Sequence, residues 1–205
     1  MREQDITALV ALEWDFFQDT QNIGGRAACQ NDYTTFWVMR KGQAMAWTND
    51  MVCAWLQDLR QAKKNGRNPV AEKYARMMKT TDPEEYQKLE HLLPLVTFEA
   101  AHLAKEITAQ TVTWAEQAAK SFPCFCARGR PLYKDSDTIE QVSLETYCYC
   151  ELLTCSLDTL HIFFRTYQEK AVRGENLYLD VENNIVKLMG YTSVEEIEQR
   201  LSSCR

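Results

Sequence analysis

The sequence predicts an all-α fold, and three observations carry that expectation. Apolar residues recur at three- and four-residue spacing through most of the chain. No stretch alternates apolar and polar residues for long enough to make a strand. Helix-starting and helix-stopping residues fall between the periodic segments. Together they predict a single-domain bundle of about eight helices over residues 1–205, with 121–137 as the place where it could subdivide.

The first helix, about 4–19, carries Leu9, Leu12 and Phe16 on one stripe with Asp19 at its end, and stops before Asn22-Ile23-Gly24-Gly25. A second, about 33–47, presents Phe36, Val38, Met39, Gln43 and Trp47, and Thr48-Asn49-Asp50 caps a third of about 50–64. "KKNGRNPV" at 63–70 supplies a C-terminal glycine, a turn and a proline for the first turn of the next helix. In "TTDPEEY", Asp82 is the N-cap, Pro83 the first helical residue and Glu85 the reciprocal acid.

Pro94 ends that helix, and Thr97 opens a long one to about Lys120. "SFPCFCARGRPLYKDSD", 121–137, is irregular and reads as a domain connection or a functional loop. One long helix of about 139–172 follows, stopped by Gly174. Another spans about 176–189, stopped by Gly190, and Ser193 with Glu196 makes a capping box for the last.

Composition narrows the function. With 45% hydrophobic and 25% charged residues the chain is of ordinary globular make-up, and its net charge of −6 argues against the clustered cations that nucleic acid requires. No apolar run approaches the roughly 18 residues of a membrane span, and "MREQDITALVALEWDFF" has acids where a signal peptide has a basic start. The expectation is a cytoplasmic protein without nucleic-acid or membrane partners. Its eight cysteines then read as free thiols, metal ligands or reactive groups rather than disulfides.

Three Gly-Arg units stand in interhelical loops: Gly25-Arg26, Gly66-Arg67 and Arg128-Gly129-Arg130. Glycine lets backbone N–H groups turn inward, and arginine adds a planar fork for carboxylate or phosphate. If the loops converge, they form a cationic pocket; otherwise each arginine caps a helix or pairs with a carboxylate nearby. Glu13 and Asp15 interrupt an aromatic stretch. Glu145 and Glu151, six residues apart, are rotated by about 120° and do not share a helix face.

Cys124/Cys126 and Cys148/Cys150, with Cys155, suggest zinc, but a one-residue gap on a helix turns the sulfurs about 200° apart. No metal and no cofactor is expected. Cys29 lies where Arg26 and a helix N-terminus favour a thiolate, although a nucleophile needs a base and only His91, His102 and His161 are available. Glu99-Ala-Ala-His102 matches one half of a diiron motif, and neither other histidine supplies the second half.

The chain also resembles a mainly bacterial family known as domain of unknown function 4125. The resemblance rests on "WDFFQ" (14–18), "GGRAACQND" (24–32), "MRKGQ" (39–43) with Trp47, "GRNPVAEKYARMM" (66–78), "GRPL" (129–132), "SLETYCYCELLTCSLDTL" (143–160) and "MGYTSVEEIE" (189–198). It spans nearly the whole chain. The resemblance implies that Trp14, Asp15, Gly25, Gln30, Asp32, Arg40, Gln43, Trp47, Asn68, Glu72, Tyr74 and Tyr147 join the arginines, Cys29, Glu145 and Glu151 as candidates. Cys124, Cys126, Cys148, Cys150, Glu99 and His102 fall outside the shared pattern. A nucleotidyltransferase-like domain beside this one in some members implies a small-molecule pathway and a partner of that kind.

The leading expectation is a pocket for a small anionic or zwitterionic, amino-acid-like metabolite, with acid–base chemistry. Arg26 and Arg130 hold the anion, with Asp15, Gly25, Gln30, Asp32, Arg40, Gln43, Trp47, Arg67 and Asn68 around it; Glu145 or Glu151 moves a proton, and Tyr147 or Cys29 assists. One alternative is a non-catalytic interaction module whose exposed aromatics, such as Trp55 and Tyr178, mark an interface. Another is a metal-dependent bundle enzyme built on Glu99 and His102.

Overall fold

A computed structural model describes residues 2–21 and 25–203. Among these there are eleven α-helices and no strand: α1 Arg2–Gln18, α2 Tyr33–Ala46, α3 Asn49–Lys64, α4 Pro69–Thr81, α5 Pro83–Leu89, α6 Phe98–Ser121, α7 Pro123–Cys126, α8 Leu144–Leu152, α9 Leu157–Val172, α10 Leu177–Leu188 and α11 Val194–Ser202. Of the residues expected to stop the first helix, Asn22, Ile23 and Gly24 lie outside the described residues.

Side-chain caps set most starts. Thr48, Asn68, Asp82, Thr97 and Ser193 each accept a hydrogen bond from the backbone N–H three residues on. Each such cap is worth about 1 kcal/mol, and Pro69 and Pro83 lose nothing by lacking an N–H at the first helical position. At the last helix the box is displaced by one residue, because the Glu196 carboxylate accepts from Thr192 N (2.7 Å) and not from Ser193.

The number of helices exceeds the expected eight in part because the long helix over 139–172 is two and because the irregular 121–137 segment holds the short α7. It starts only at Leu144, capped by Ser143, and breaks after Leu152. Ser156 takes an extended backbone (ψ 159°), its side chain accepts from Thr159 N, and its own N–H donates to Asp58 Oδ2 at 2.8 Å. A cap and a tertiary partner together replace the lost turn.

The core joins both halves of the chain. α1 packs on α2 and α3, α3 on α9, α9 on α6, α6 on α8, and α4 on α8. Leu9, Met51, Leu56, Leu59, Ile107 and Leu160 are fully enclosed there. Each contributes about 1.5–3 kcal/mol through burial. The irregular 121–137 segment contains the single turn α7, which α11 fastens: Glu198 accepts from Cys124 N and Phe125 N at 3.0 and 2.7 Å.

α10 packs most extensively on α2, and Gly42 permits it. A methyl at Gly42 would stand 2.5 Å from Ile185 Cγ1 and 3.1 Å from Ile185 N. Backbone cannot yield as a side chain can. Gly42→Ala is therefore expected to cost about 1–3 kcal/mol in urea unfolding, despite alanine's better helix propensity. An unchanged or raised midpoint would show that α10 can move away freely.

Candidate functional site

The site grows from a charge cluster inside the bundle. Glu13 of α1 is only 2% exposed, in a helix whose neighbouring buried positions are Leu9, Val10, Phe16 and Phe17. A carboxylate so placed must be paired. Arg40 of α2 donates to it through Nε (2.7 Å) and Nη2, and Trp55 Nε1 of α3 donates at 2.8 Å.

The remaining edge of the Arg40 guanidinium faces α8. Its Nη1 donates to Gln43 Oε1 (2.7 Å), one turn along α2, and to Glu151 Oε1 (3.0 Å). Glu151 Oε1 also accepts from Lys73 Nζ of α4 at 3.1 Å, and that ammonium donates to Tyr147 Oη at 2.7 Å. Tyr147 and Glu151 lie four residues apart on one face of α8.

Burial raises a carboxyl such as that of Glu151, but Arg40 and Lys73 outweigh it and hold the group down at about 2. Arg40 and Lys73 remain charged for the reciprocal reason: desolvation disfavours them, and Glu13, Glu151 and Tyr147 more than compensate. Arg130 adds a further cation, 4.8 Å from the Tyr147 ring centroid. Its Nη1 donates to Val142 O, and among the described residues it has no carboxylate partner. In this inner group three basic side chains thus meet two carboxyl groups.

A cavity of about 520 Å³ opens over the cluster. That is the size of a small-molecule site. Phe17, Phe36, Trp55, Tyr74, Trp114 and Tyr167 give it aromatic walls, and α10 closes it with Tyr178, Val181, Glu182 and Ile185. Cys29, Asp32, Met39 and Arg130 are lining residues that solvent also reaches, so they mark its open side.

Of the residues singled out from sequence, the cavity brings together Cys29, Asp32, Arg40, Gln43, Trp47, Arg130, Tyr147 and Glu151. Asp32 also caps α2, accepting from Thr35 N and Oγ1. The three Gly-Arg loops do not all meet there. Arg26 closes its own loop, donating to Asn31 Oδ1 (2.9 Å), Gln18 Oε1 and Gln30 O (2.8 Å). Gly25, at φ +87°, makes the turn that positions it. Gln30 is buried, donating to Phe17 O and Thr20 O.

Arg67 forms a two-bonded pair with Glu72 (2.9 and 2.6 Å), and Asn68 caps α4 while donating to Phe16 O. Asp15 pairs with Lys63 on the surface, and Glu145 accepts from Lys134 N. Asp15 ties α1 to α3, the others fasten loops to helices, and none of them lines the cavity.

Sequence reasoning passed over Lys73 and Glu182 and left Glu13 outside its final set. All three occupy the apolar phase of their helices: Lys73 between Val70 and Met77, Glu182 between Tyr178 and Ile185. A charge in that phase is the signal that could have found them.

Cys148 lines the cavity and burial pushes its thiol up to about 12, whereas Cys150 is buried on the other side of α8. Cys124 and Cys126 lie on α7. Among the described residues no three metal-ligating side chains gather, and Glu99 faces His161 (3.1 Å). No histidine lines the cavity beside Cys29. Trp55 and Tyr178, expected to be exposed, instead face inward, because the core and the cavity claim their rings. Leu92, Leu95 and Phe98 are exposed at 74, 100 and 90%.

No helix is long and apolar enough to cross a membrane among the described residues. Comparison with curated proteins and with solved structures gives no match. Residues 3–199 match the family described as protein of unknown function, DUF4125, so the chain belongs to that family.

Proposed function

We propose that the protein binds a small anionic molecule with a flat apolar body and acts on it by proton transfer. The observation that carries this reading is the position of Tyr147 between Lys73 and Arg130 on the wall of an aromatic cavity. The Tyr147 oxygen accepts from Lys73, so its own proton is left to donate, and it has no acceptor among the described residues. Arg130 supplies a charged fork on the open side.

Glu151 suits holding and not moving a proton, because at about 2 it is ionised throughout the neutral range and two cations occupy one of its oxygens. The transfer falls to Tyr147: its Oη–H bond breaks, the proton passes to an oxygen of the ligand, and the Lys73 ammonium stabilises the phenolate left behind. Arg40 and Glu13 act at one remove, fixing Glu151 and through it Lys73.

Calorimetric titration with para-toluate and with its neutral analogue para-toluamide tests the binding. The acid is expected to bind at least tenfold more tightly, and Arg130→Gln to remove most of that preference while shifting stability by no more than about 0.5 kcal/mol, as at other exposed positions. Equal affinity for acid and amide would end the reading. A second reading, an interaction module, draws support from exposed Leu92, Leu95 and Phe98. A stable hetero-oligomer with a cavity that takes up none of these compounds would favour it.

A further inference from the structure

The cavity has a second polar wall that the anion site does not use. Lys73 and Tyr147 come from α4 and α8, which pack on each other, whereas Glu182 comes from α10, which packs on α2 and α6. Glu182 lines the same cavity and forms no ion pair among the described residues. Its partner is the Tyr178 hydroxyl, one turn earlier on α10.

The titratable groups that face this wall are Tyr178 itself, Cys126 of α7, Cys148 of α8 and Tyr167 of α9. None is cationic. Burial raises the Glu182 carboxyl, the Tyr178 hydrogen bond only partly opposes it, and no positive side chain stands close enough to add to that opposition. The same cavity is lined by the rings of Tyr178 and of the packed pair Trp114 and Tyr167, whose centroids are 5.1 Å apart. A carboxylate set among aromatic faces is a receptor for a cation, since both attract it and the rings exclude water.

We infer that the ligand carries a second, cationic end: Glu182, the Tyr178 hydroxyl and the flanking rings receive an ammonium group while Lys73, Tyr147 and Arg130 hold the anionic end. The ligand class is thus a zwitterion whose two charges are separated by a flat apolar body. This rests on the anion-binding reading above. An amine bound there restores to Glu182 the counter-charge that the fold withholds, and it discriminates against simple acids of the same shape.

The test compares para-(aminomethyl)benzoate with para-toluate by calorimetric titration of the whole protein and of Glu182→Gln. The variant is expected to fold with a urea midpoint equal to or above that of wild type, since it removes a desolvated carboxylate without a counter-ion. Wild type is expected to prefer the zwitterion at least tenfold, and Glu182→Gln to lose that preference while binding para-toluate at least as tightly as wild type does. Equal affinities in wild type would overturn the inference and leave the anion site standing. So would a preference that survives in the variant, or an equal loss of both compounds. Binding of neither compound by wild type would overturn both readings.

Discussion

Arg40→Met is expected to lower stability by about 3–5 kcal/mol, the largest effect of any single substitution at the site. The guanidinium holds two carboxylates at once, Glu13 on one edge and Glu151 on the other, with Arg40 and Glu13 both under 10% exposed. Methionine fills a comparable volume but leaves Glu13 with only Trp55 Nε1, so a buried charge loses its counter-ion. Against a typical domain stability of about 5–15 kcal/mol, such a loss brings the chain close to unfolding at growth temperatures.

Arg40→Lys keeps the charge and is expected to fall between, because an ammonium cannot donate two parallel bonds to Glu13 while reaching Glu151. The double variant Glu13→Gln/Arg40→Met should lose less than the sum of its parts, since the two residues share one interaction. Urea unfolding of wild type, Arg40→Met, Arg40→Lys, Glu13→Gln and the double variant measures this directly. A loss below about 1 kcal/mol for Arg40→Met would show that water reaches the cluster and that Arg40 does not fix Glu151 and Lys73 in place.

Helix starts were legible where proline or glycine punctuated the chain beside the cap. Asn68-Pro69 and Asp82-Pro83 are examples, because the cap and the proline act within four residues of each other. The break between α8 and α9 was not legible. Leu152, Leu153, Leu157 and Leu160 keep one apolar phase across it, so periodicity reads straight through. What ends α8 is the Ser156 cap together with Asp58, which lies 98 residues away in sequence.

The site was legible in part for a related reason. A glycine beside an arginine advertises a turn, and a turn supplies local partners: Gln18 and Asn31 for Arg26, Glu72 for Arg67. The charges that form the cavity floor come from helix interiors, where no local motif flags them. Arg40, Lys73 and Glu151 sit on three helices and meet only after these pack. Their spacing on each helix shows that a charge faces the core, and only the packing shows which charges it will find there.

Acid should remove the contribution of Glu151 in a window that its surroundings define. The carboxyl lies at about 2 in the folded protein against an ordinary 4.5, so the folded state binds its proton less readily than the unfolded chain. A depressed carboxyl contributes fully above its unfolded value and loses that contribution as pH falls from 4.5 toward 2. The shift corresponds to a contribution on the order of 3 kcal/mol. Lys73 does not titrate in this range, which lies far below the value of its ammonium, raised in the fold above its ordinary one. Asp137, held low against burial by the Thr146 hydroxyl and Ser143 N, weakens the protein in the same direction. So do Asp32, Glu175, Glu196 and Glu198, whose carboxyls are also held low, and the wild-type curve alone would mix them all. Subtracting the curve of Glu151→Gln isolates Glu151, since the other carboxyls are present in both proteins. The gap should be widest near pH 7 and close steadily below pH 4.5 in urea unfolding at a series of pH values. A gap that stayed constant down to pH 3 would mean that the ion pairs with Arg40 and Lys73 contribute nothing, and that Glu151 matters only for its shape.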